Sequence, residues 1–471
     1  MADLDQPGAA EEFAARFATI ARRLREAGQP AALEAFLARQ FQHLLAGEDG
    51  LIREAEIEPV AELPDAVDLG PETIAAGKQA LAATVLIKLN GGLGTSMGLD
   101  RAKSLLVVKE GLSFLDIIAR QAQAAGVPLL LMDSPATRTD SLARLRNYPE
   151  LEHFGLPLDF LQHRIPKLRQ DTFEPVAWPA NPALEWCPPG HGDLYLALQT
   201  SGLLAGLRRR GYRYAFVSNA DNLGAVLDLA ILGFFAASGA PLLMEAADRT
   251  AADRKGGHLA RRRADGGLLL REAAQCPEEE KEIFQDTSRH RYFNTNSLWL
   301  DLEALEGFLA GGEGLDLPLI LNRKPVDPRR PDSTPVLQLE SAMGAAIGLF
   351  PGARAIRVPR TRFAPVKTTD DLLAVRSDAY CLNPDFTVTP AAAEVPLIEL
   401  DSSFYRRIDD FERRFPAGAP SLRDCRRLQV EGDIIFGARQ VLRGRVRLVS
   451  HSSRPLQLPN DLEIIASEPR E

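Results

Sequence analysis

The residues best suited to chemistry fall in a few short polar loops. The first is Leu89-Asn90-Gly91-Gly92-Leu93-Gly94-Thr95-Ser96-Met97-Gly98, with Lys103-Ser104 close behind. Four glycines in eight residues, Gly91 to Gly98, remove side chains where backbone N–H groups could meet a polyanion. Lys103 adds a positive charge a few residues on. The familiar phosphate-loop templates do not fit. Leu99 follows Gly98 where a Walker loop needs lysine, and Met97 stands where the dinucleotide fingerprint needs its third glycine. Taken alone, the loop has a plainer reading as a tight turn.

Three further loops carry polar groups of the same kind. Pro188-Pro189-Gly190-His191-Gly192-Asp193 precedes a helical run, so the helix start offers N–H groups to an anion and His191 can donate to a phosphate or a sugar hydroxyl. Its plainer reading is a structural histidine and an N-cap aspartate. Ser218-Asn219-Ala220-Asp221-Asn222-Leu223-Gly224 follows an apolar strand, where a carboxylate facing a polyphosphate is a reasonable Mg²⁺ ligand. These residues equally favour an Asx turn. The segment from Arg360 to Thr369 concentrates positive charge, and Lys367 in it can reach a phosphate, although a solvated basic turn is the commoner fate of such clusters.

These loops need elements to hold them. From about residue 81 to 375 apolar β-rich segments alternate with helical ones, with strands expected at 85–89, 128–132, 158–162, 214–219, 241–245, 292–294 and 355–358. Helices fall between them, for example over 193–208 and 301–309, and residues 338–346 read as a helix packed through small residues. Such alternation argues for an α/β fold with a mostly parallel sheet, whose ligands sit beyond the carboxyl ends of the strands. Residues 89–94 and 219–222 lie at such ends and are placed to share one crevice. Residues 1–80 read as an N-terminal helical segment, 81–383 as the catalytic domain and 384–471 as a β-rich domain. In the last, short glycine-punctuated segments suit turns of a β-solenoid, and an ordinary antiparallel module fits the spacing nearly as well.

The chain has 471 residues, enough for two or three domains, and a net charge of −9 that argues against a general nucleic-acid binder. No signal peptide is read at the start, and no run reaches the roughly 20 apolar residues of a membrane span. Four scattered cysteines without zinc-ligand spacing suit a reduced cytoplasm.

The wording of the loops is more informative than their composition. Together with Lys-Gly-Gly at 255–257, Phe-Asn-Thr-Asn at 293–296, Gln-Leu-Glu at 338–340 and Arg-Phe-Ala-Pro-Val-Lys at 362–367, they stand in the order found in one family. Over about residues 80 to 450 the chain resembles UTP–glucose-1-phosphate uridylyltransferases of the eukaryotic type. Related enzymes for UDP-N-acetylhexosamine read Gly-Gly-x-Gly-Thr-Arg-Leu-Gly, from which Ser96-Met97 departs. Within the resemblance, Arg101-Ala102 replaces Gly-Pro before the loop lysine, His258 stands for threonine and Ser297 for asparagine.

The resemblance implies a Rossmann-like nucleotidyltransferase core with a mixed, mostly parallel sheet, and a C-terminal domain like a left-handed β-helix. It implies that UTP and glucose 1-phosphate give UDP-glucose and pyrophosphate with Mg²⁺. The backbone of Leu89, Asn90, Gly91 and Gly92 would hold the nucleotide, and Gln162 and Gly190 would read uracil. Lys103 would neutralise the triphosphate, and Lys367 would bridge the reacting phosphates. His191, Asn219, Ala220, Asp221 and Asn294 would hold the sugar phosphate, with Asp221 also on the metal. No nucleic acid or membrane is implied, and the C-terminal domain offers a surface for self-association. Three rivals stand beside this reading: the same chemistry on galactose 1-phosphate, a dehydrogenase built on the broken Gly-x-Gly pattern, and a non-catalytic relative acting as a scaffold.

Overall fold

The computed structural model describes all residues except 1–8, 48–49, 251–252, 255, 312–314, 393 and 467–471, and also leaves aside the side chains of 9–12 and 96. Lys255 of the Lys-Gly-Gly motif therefore lies outside the described residues. The fold is mixed α/β with a mixed central sheet. Two compact units divide the chain: Met1–Ile87, Phe160–Val217 and Asp228–Pro359 form the first, and Lys88–Asp159, Ser218–Leu227 and Arg360–Glu471 the second. The division falls inside the strands Thr84–Asn90 and Tyr214–Asn219, at Ile87/Lys88 and Val217/Ser218.

In the first unit the ten-residue strand Tyr292–Asp301 is the organising element. It runs antiparallel to Tyr214–Asn219, with Tyr214 opposite Asp301, and antiparallel to Leu242–Asp248 on its other side. Leu242–Asp248 in turn pairs in parallel with Arg354–Arg357. Phe216 stacks on Trp299 at 4.4 Å, and Trp299 Nε1 donates to the buried Glu245 carboxylate at 2.9 Å, so this charge is hydrogen-bonded among the apolar side chains around it. The helices Ala9–Glu26 and Ala31–Leu45 bury Ile20, Leu24, Leu33, Leu37 and Phe41 against Ile165, Leu168, Leu196 and Leu337. Their helical spacing of apolar residues predicts this face.

One expected helix is a strand. Residues 338–346 divide between the strand Pro335–Glu340, paired antiparallel with Ile320–Pro325, and a 3₁₀ turn over Met343–Gly348. Leu337 and Leu339 are both buried at a spacing of two, which is strand periodicity, while Gly344 and Ala345-Ala346 allow the tight winding that follows. The hairpin of His258–Arg262 and Leu268–Arg271 was not expected either, although Asp265-Gly266-Gly267 marks its turn.

In the second unit one apolar core runs from Val108, Phe114 and Ile117 through Leu372, Tyr405 and Phe411 to Leu428, Val430 and Val446. The helix Phe114–Ala125 begins with a reciprocal Ser113–Asp116 capping box, and Arg144 grips the buried Asp116 carboxylate at 2.7 and 2.6 Å. Toward the C-terminus the strands Leu397–Leu400, Cys425–Glu431, Val441–Val449 and Glu463–Ala466 pair in parallel in that order, and Ile434–Ile435 pairs in parallel with Leu456–Gln457.

Candidate active site

The glycine-rich loop of the second unit is held by its carbonyls. Leu89 O accepts the Ala220 N–H at 3.1 Å, Gly91 O accepts Ser134 Oγ at 2.9 Å, and Gly92 O accepts the Lys103 N–H at 3.1 Å. Gly94 and Gly98 take φ of +64° and +76°, a region that costs other residues strain. Among the described residues, the amides of Gly91, Gly92, Leu93 and Gly94 donate to nothing. Carbonyls turned inward and amides left over are the groups an anion would need. Asn90 contributes differently from its neighbours. Its side-chain amide donates to Asp133 Oδ1 at 2.7 Å and to Ser141 Oγ at 2.8 Å, so it fixes the strand end and offers a ligand only backbone. Burial pushes the Asp133 carboxyl up to about 6.

Lys103, Asp221 and Lys367 are brought together in the same unit. Lys103 Nζ donates to Asp221 Oδ2 at 2.6 Å, with the two side chains 15% and 24% exposed, so the pair is only partly screened. Asp221 O accepts the Val366 N–H at 3.1 Å, which ties the residue before Lys367 to the carboxylate's own backbone. Asn222 tightens this clamp, its Oδ1 accepting the Ala364 N–H at 2.9 Å and its Nδ2 donating to Arg362 O at 3.2 Å. Lys367 is exposed, with its ammonium 5.8 Å from the centre of the Phe363 ring. Asn219 is half-buried, and its side chain hydrogen-bonds to no described residue. The loops at 89–94 and 219–222 thus touch, as their placement at strand ends predicts. Among the described residues no three His, Cys, Asp or Glu side chains are grouped to hold a metal. A lone carboxylate beside free amides suits a cation that takes most of its ligands from phosphate and water, as Mg²⁺ does.

In the first unit Gln162 Nε2 donates to Gly190 O at 3.0 Å. Gly190 has φ +81°, and a β-carbon there would run into the Ser341 carbonyl, so only glycine fits. The turn is pinned from both sides, Gly192 N–H donating to Ser341 O at 2.9 Å and Ser341 N–H to Pro189 O at 3.0 Å. Asp193 occupies the N-cap position of the helix Leu194–Thr200, but its side chain makes no capping bond there. Its buried carboxylate accepts the His163 N–H and meets His163 Nδ1, each at 2.7 Å, which locks the residue after Gln162 to the end of the Gly190 turn.

Met343 N–H donates to His191 Nδ1 at 3.0 Å, so the ring proton sits on Nε2. Burial pushes the half-buried His191 down to about 4, leaving a neutral imidazole that donates through Nε2 at pH 7. Asn294 stands where the strand Tyr292–Asp301 bulges: pairing shifts between Glu245 and Ala246, and Asn296 takes φ +56°. Asn294 Nδ2 donates to Asn296 Oδ1 at 2.8 Å, and a β-carbon on Gly344 would stand 2.9 Å from that nitrogen. The 3₁₀ turn that bonds His191 through Met343 therefore also backs Asn294 through Gly344.

An α/β fold with a loop of amides that have no partner among the described residues, beside two lysines and one carboxylate, has the groups that a phosphate-handling transferase needs. Comparison with known proteins narrows the class. A model of the UTP–glucose-1-phosphate uridylyltransferase family matches residues 33–443. The UTP–glucose-1-phosphate uridylyltransferase of Solanum tuberosum is 39% identical over 402 residues, covering 83% of this chain and 82% of the relative. That of Saccharomyces cerevisiae is 39% identical over 389 residues, covering 81% and 76%. A variant UDP-glucose pyrophosphorylase of Leishmania major, solved with UDP-glucose, superposes with a TM-score of 0.89 at 41% identity, covering 96% of this chain and 98% of its own. The Trypanosoma brucei protein superposes at 0.88 and 41%, covering 96% and 100%. The chain belongs to the UTP–glucose-1-phosphate uridylyltransferase family.

Proposed function

We propose that this chain transfers the uridylyl group of UTP to glucose 1-phosphate. A phosphate oxygen of the sugar phosphate attacks the α-phosphorus of UTP, the bond from that phosphorus to the bridging α–β oxygen breaks, and pyrophosphate leaves with the electron pair. The nucleophile is already ionised at pH 7, so no general base is called for, and the chemistry asks the protein for position and charge. The observation that carries this reading is the set of unpartnered glycine-loop amides beside Lys103, Asp221 and Lys367.

Backbone at Leu89, Asn90, Gly91 and Gly92 holds the nucleotide, while Lys103 neutralises the triphosphate and exchanges its contact with Asp221 for phosphate. Lys367 bridges the two reacting phosphates. Gln162 and the Gly190 turn offer the donor and acceptor that the amide edge of uracil needs. His191 donates from Nε2 to the sugar phosphate, and Asn219, Ala220, Asp221 and Asn294 complete its site. Asp221 would hold Mg²⁺, which supplies charge neutralisation at the phosphates when bound. The parallel ladders from Leu397 to Ala466 support a β-solenoid, and we assign self-association to its surface. The protein is proposed to act in the cytoplasm on soluble substrates. The test is pyrophosphate release with Mg²⁺ across UTP, ATP, CTP and GTP and a panel of sugar 1-phosphates. UTP with glucose 1-phosphate should turn over fastest. Equal rates with ATP would reject the uracil assignment, and a faster rate with galactose 1-phosphate would reassign the sugar.

A further inference from the structure

The second unit carries two cations outside the phosphate-handling residues named so far. Arg406 and Arg407 lie between the short helix Ser402–Tyr405 and the helix Ile408–Arg414. Their neighbours are anchored: Tyr405 is fully buried and its hydroxyl donates to Ile434 O at 2.6 Å, and Ile408 and Phe411 are buried in the unit's core. Both arginines are exposed, so an anchored backbone presents two guanidinium groups at the surface of the unit.

Neither is paired. Nearby arginines meet carboxylates, Arg414 with Asp433 at 2.8 Å and Arg427 with Glu399 at 2.6 Å. Among the described residues, the side chains of Arg406 and Arg407 hydrogen-bond to nothing and meet no carboxylate. Their positions account for this. Arg406 lines a cavity of about 320 Å³ together with Met97, Lys367, Thr369 and Ser402. Arg407 lies over the far end of the glycine-rich loop, where a β-carbon on Gly98 would come within 3.3 Å of its Nε. The one carboxylate on the cavity wall, Asp370, accepts the Leu400 N–H at 3.2 Å, and burial pushes it up to about 6.

Unpaired cations beside Lys367 and the loop create a local positive field on a chain of net charge −9. Thr368, Thr369 and Ser402 share the cavity wall with Met97 and Leu400, and with Lys367 and Arg406 they offer donors to a compact, highly charged anion. Pyrophosphate is such an anion, and guanidinium groups grip its oxygens in pairs. We infer that Arg406 and Arg407 bind diphosphate: the β,γ-diphosphate of UTP in the forward direction and pyrophosphate in the reverse one. The inference rests on the reaction proposed above and makes the C-terminal segment part of the catalytic apparatus.

The test measures inorganic pyrophosphate with Mg²⁺ by calorimetry and by pyrophosphorolysis of UDP-glucose, in the wild type and in Arg406→Ala, Arg407→Ala and Arg406→Lys. Each alanine variant should raise the Kd and KM for pyrophosphate about tenfold, as expected for a lost charged contact, with the KM for UDP-glucose unchanged. Lysine at 406 should recover part of the loss. Unchanged pyrophosphate constants in folded alanine variants would overturn the inference. So would equal rises in both KM values with a lowered thermal midpoint, which mark a structural role. A wild type that binds pyrophosphate but turns over neither direction would refute the proposed reaction and leave the binding inference standing on calorimetry.

Discussion

Asp133 ties the nucleotide loop to the fold at an energetic cost that pH can expose. Its Oδ1 accepts Asn90 Nδ2 at 2.7 Å and Thr137 Oγ1 at 3.0 Å, while its buried Oδ2 has no hydrogen-bond partner. Burial holds the folded carboxyl at about 6 against an ordinary 3.8. A gap of that size corresponds to on the order of 3 kcal/mol for keeping the group ionised. The cost is absent below pH 3.8, grows between 3.8 and 6 and is complete above 6, so stability from this group is lost as pH rises. Asp133→Asn keeps the Oδ1 acceptor and removes the charge, but buries an amide N–H₂ without a partner, a loss of about 1–2 kcal/mol. The net expectation is a variant more stable than wild type by about 1–2 kcal/mol at pH 8, with the advantage gone at pH 5. Thermal midpoints followed by circular dichroism at the two pH values measure it. A difference that does not change with pH, or a variant less stable at pH 8, would refute the reasoning.

Three further outcomes follow from the site. Gly190→Ala forces a β-carbon onto the Ser341 carbonyl at φ +81° and should cost about 1–3 kcal/mol in stability and weaken UTP binding; an unaltered midpoint and UTP KM would show that the turn relaxes freely. Asp221→Asn should sharply lower Mg²⁺-supported turnover without unfolding the chain, and wild-type activity with unchanged metal dependence would leave Asp221 only an anchor for Lys103. His191 is pushed from an ordinary 6.5 to about 4, so its contribution to stability is present above pH 6.5 and lost as pH falls toward 4. His191→Gln should flatten that acid limb of the thermal midpoint while raising the KM for glucose 1-phosphate, and an identical acid limb would place the titration elsewhere.

The placement of the loops that form the candidate site was legible because its signals are local. A glycine run after an apolar strand, and Asx residues after another, mark strand ends whatever else the chain does, and Leu89 and Ala220 do meet there. The residues that hold those loops were not legible. Asp133 and Ser141 lie 43 and 51 positions from Asn90, and nothing in their own spacing points to it. His163 gives no local sign that its partner is Asp193. Residues 338–346 misled because a run of small residues suits both a helix and a tight 3₁₀ turn, and the choice was made by pairing with Ile320–Pro325. Arg406 and Arg407 carry no signal in the sequence, because acidic Asp409, Asp410 and Glu412 follow them and only folding sets them beside the cavity and the glycine-rich loop.

In the proposed reaction charge and position, rather than a general base, perform the transfer, with Lys367 acting on the reacting phosphates. Single-turnover formation of UDP-glucose from saturating UTP and glucose 1-phosphate, in wild type and Lys367→Ala, tests it most directly. Loss of a transition-state contact of this kind is worth on the order of 3 kcal/mol, or about a hundredfold in rate. That drop is expected with UTP affinity little changed and the fold intact by circular dichroism. A folded Lys367→Ala variant that turns over at close to the wild-type rate would contradict it.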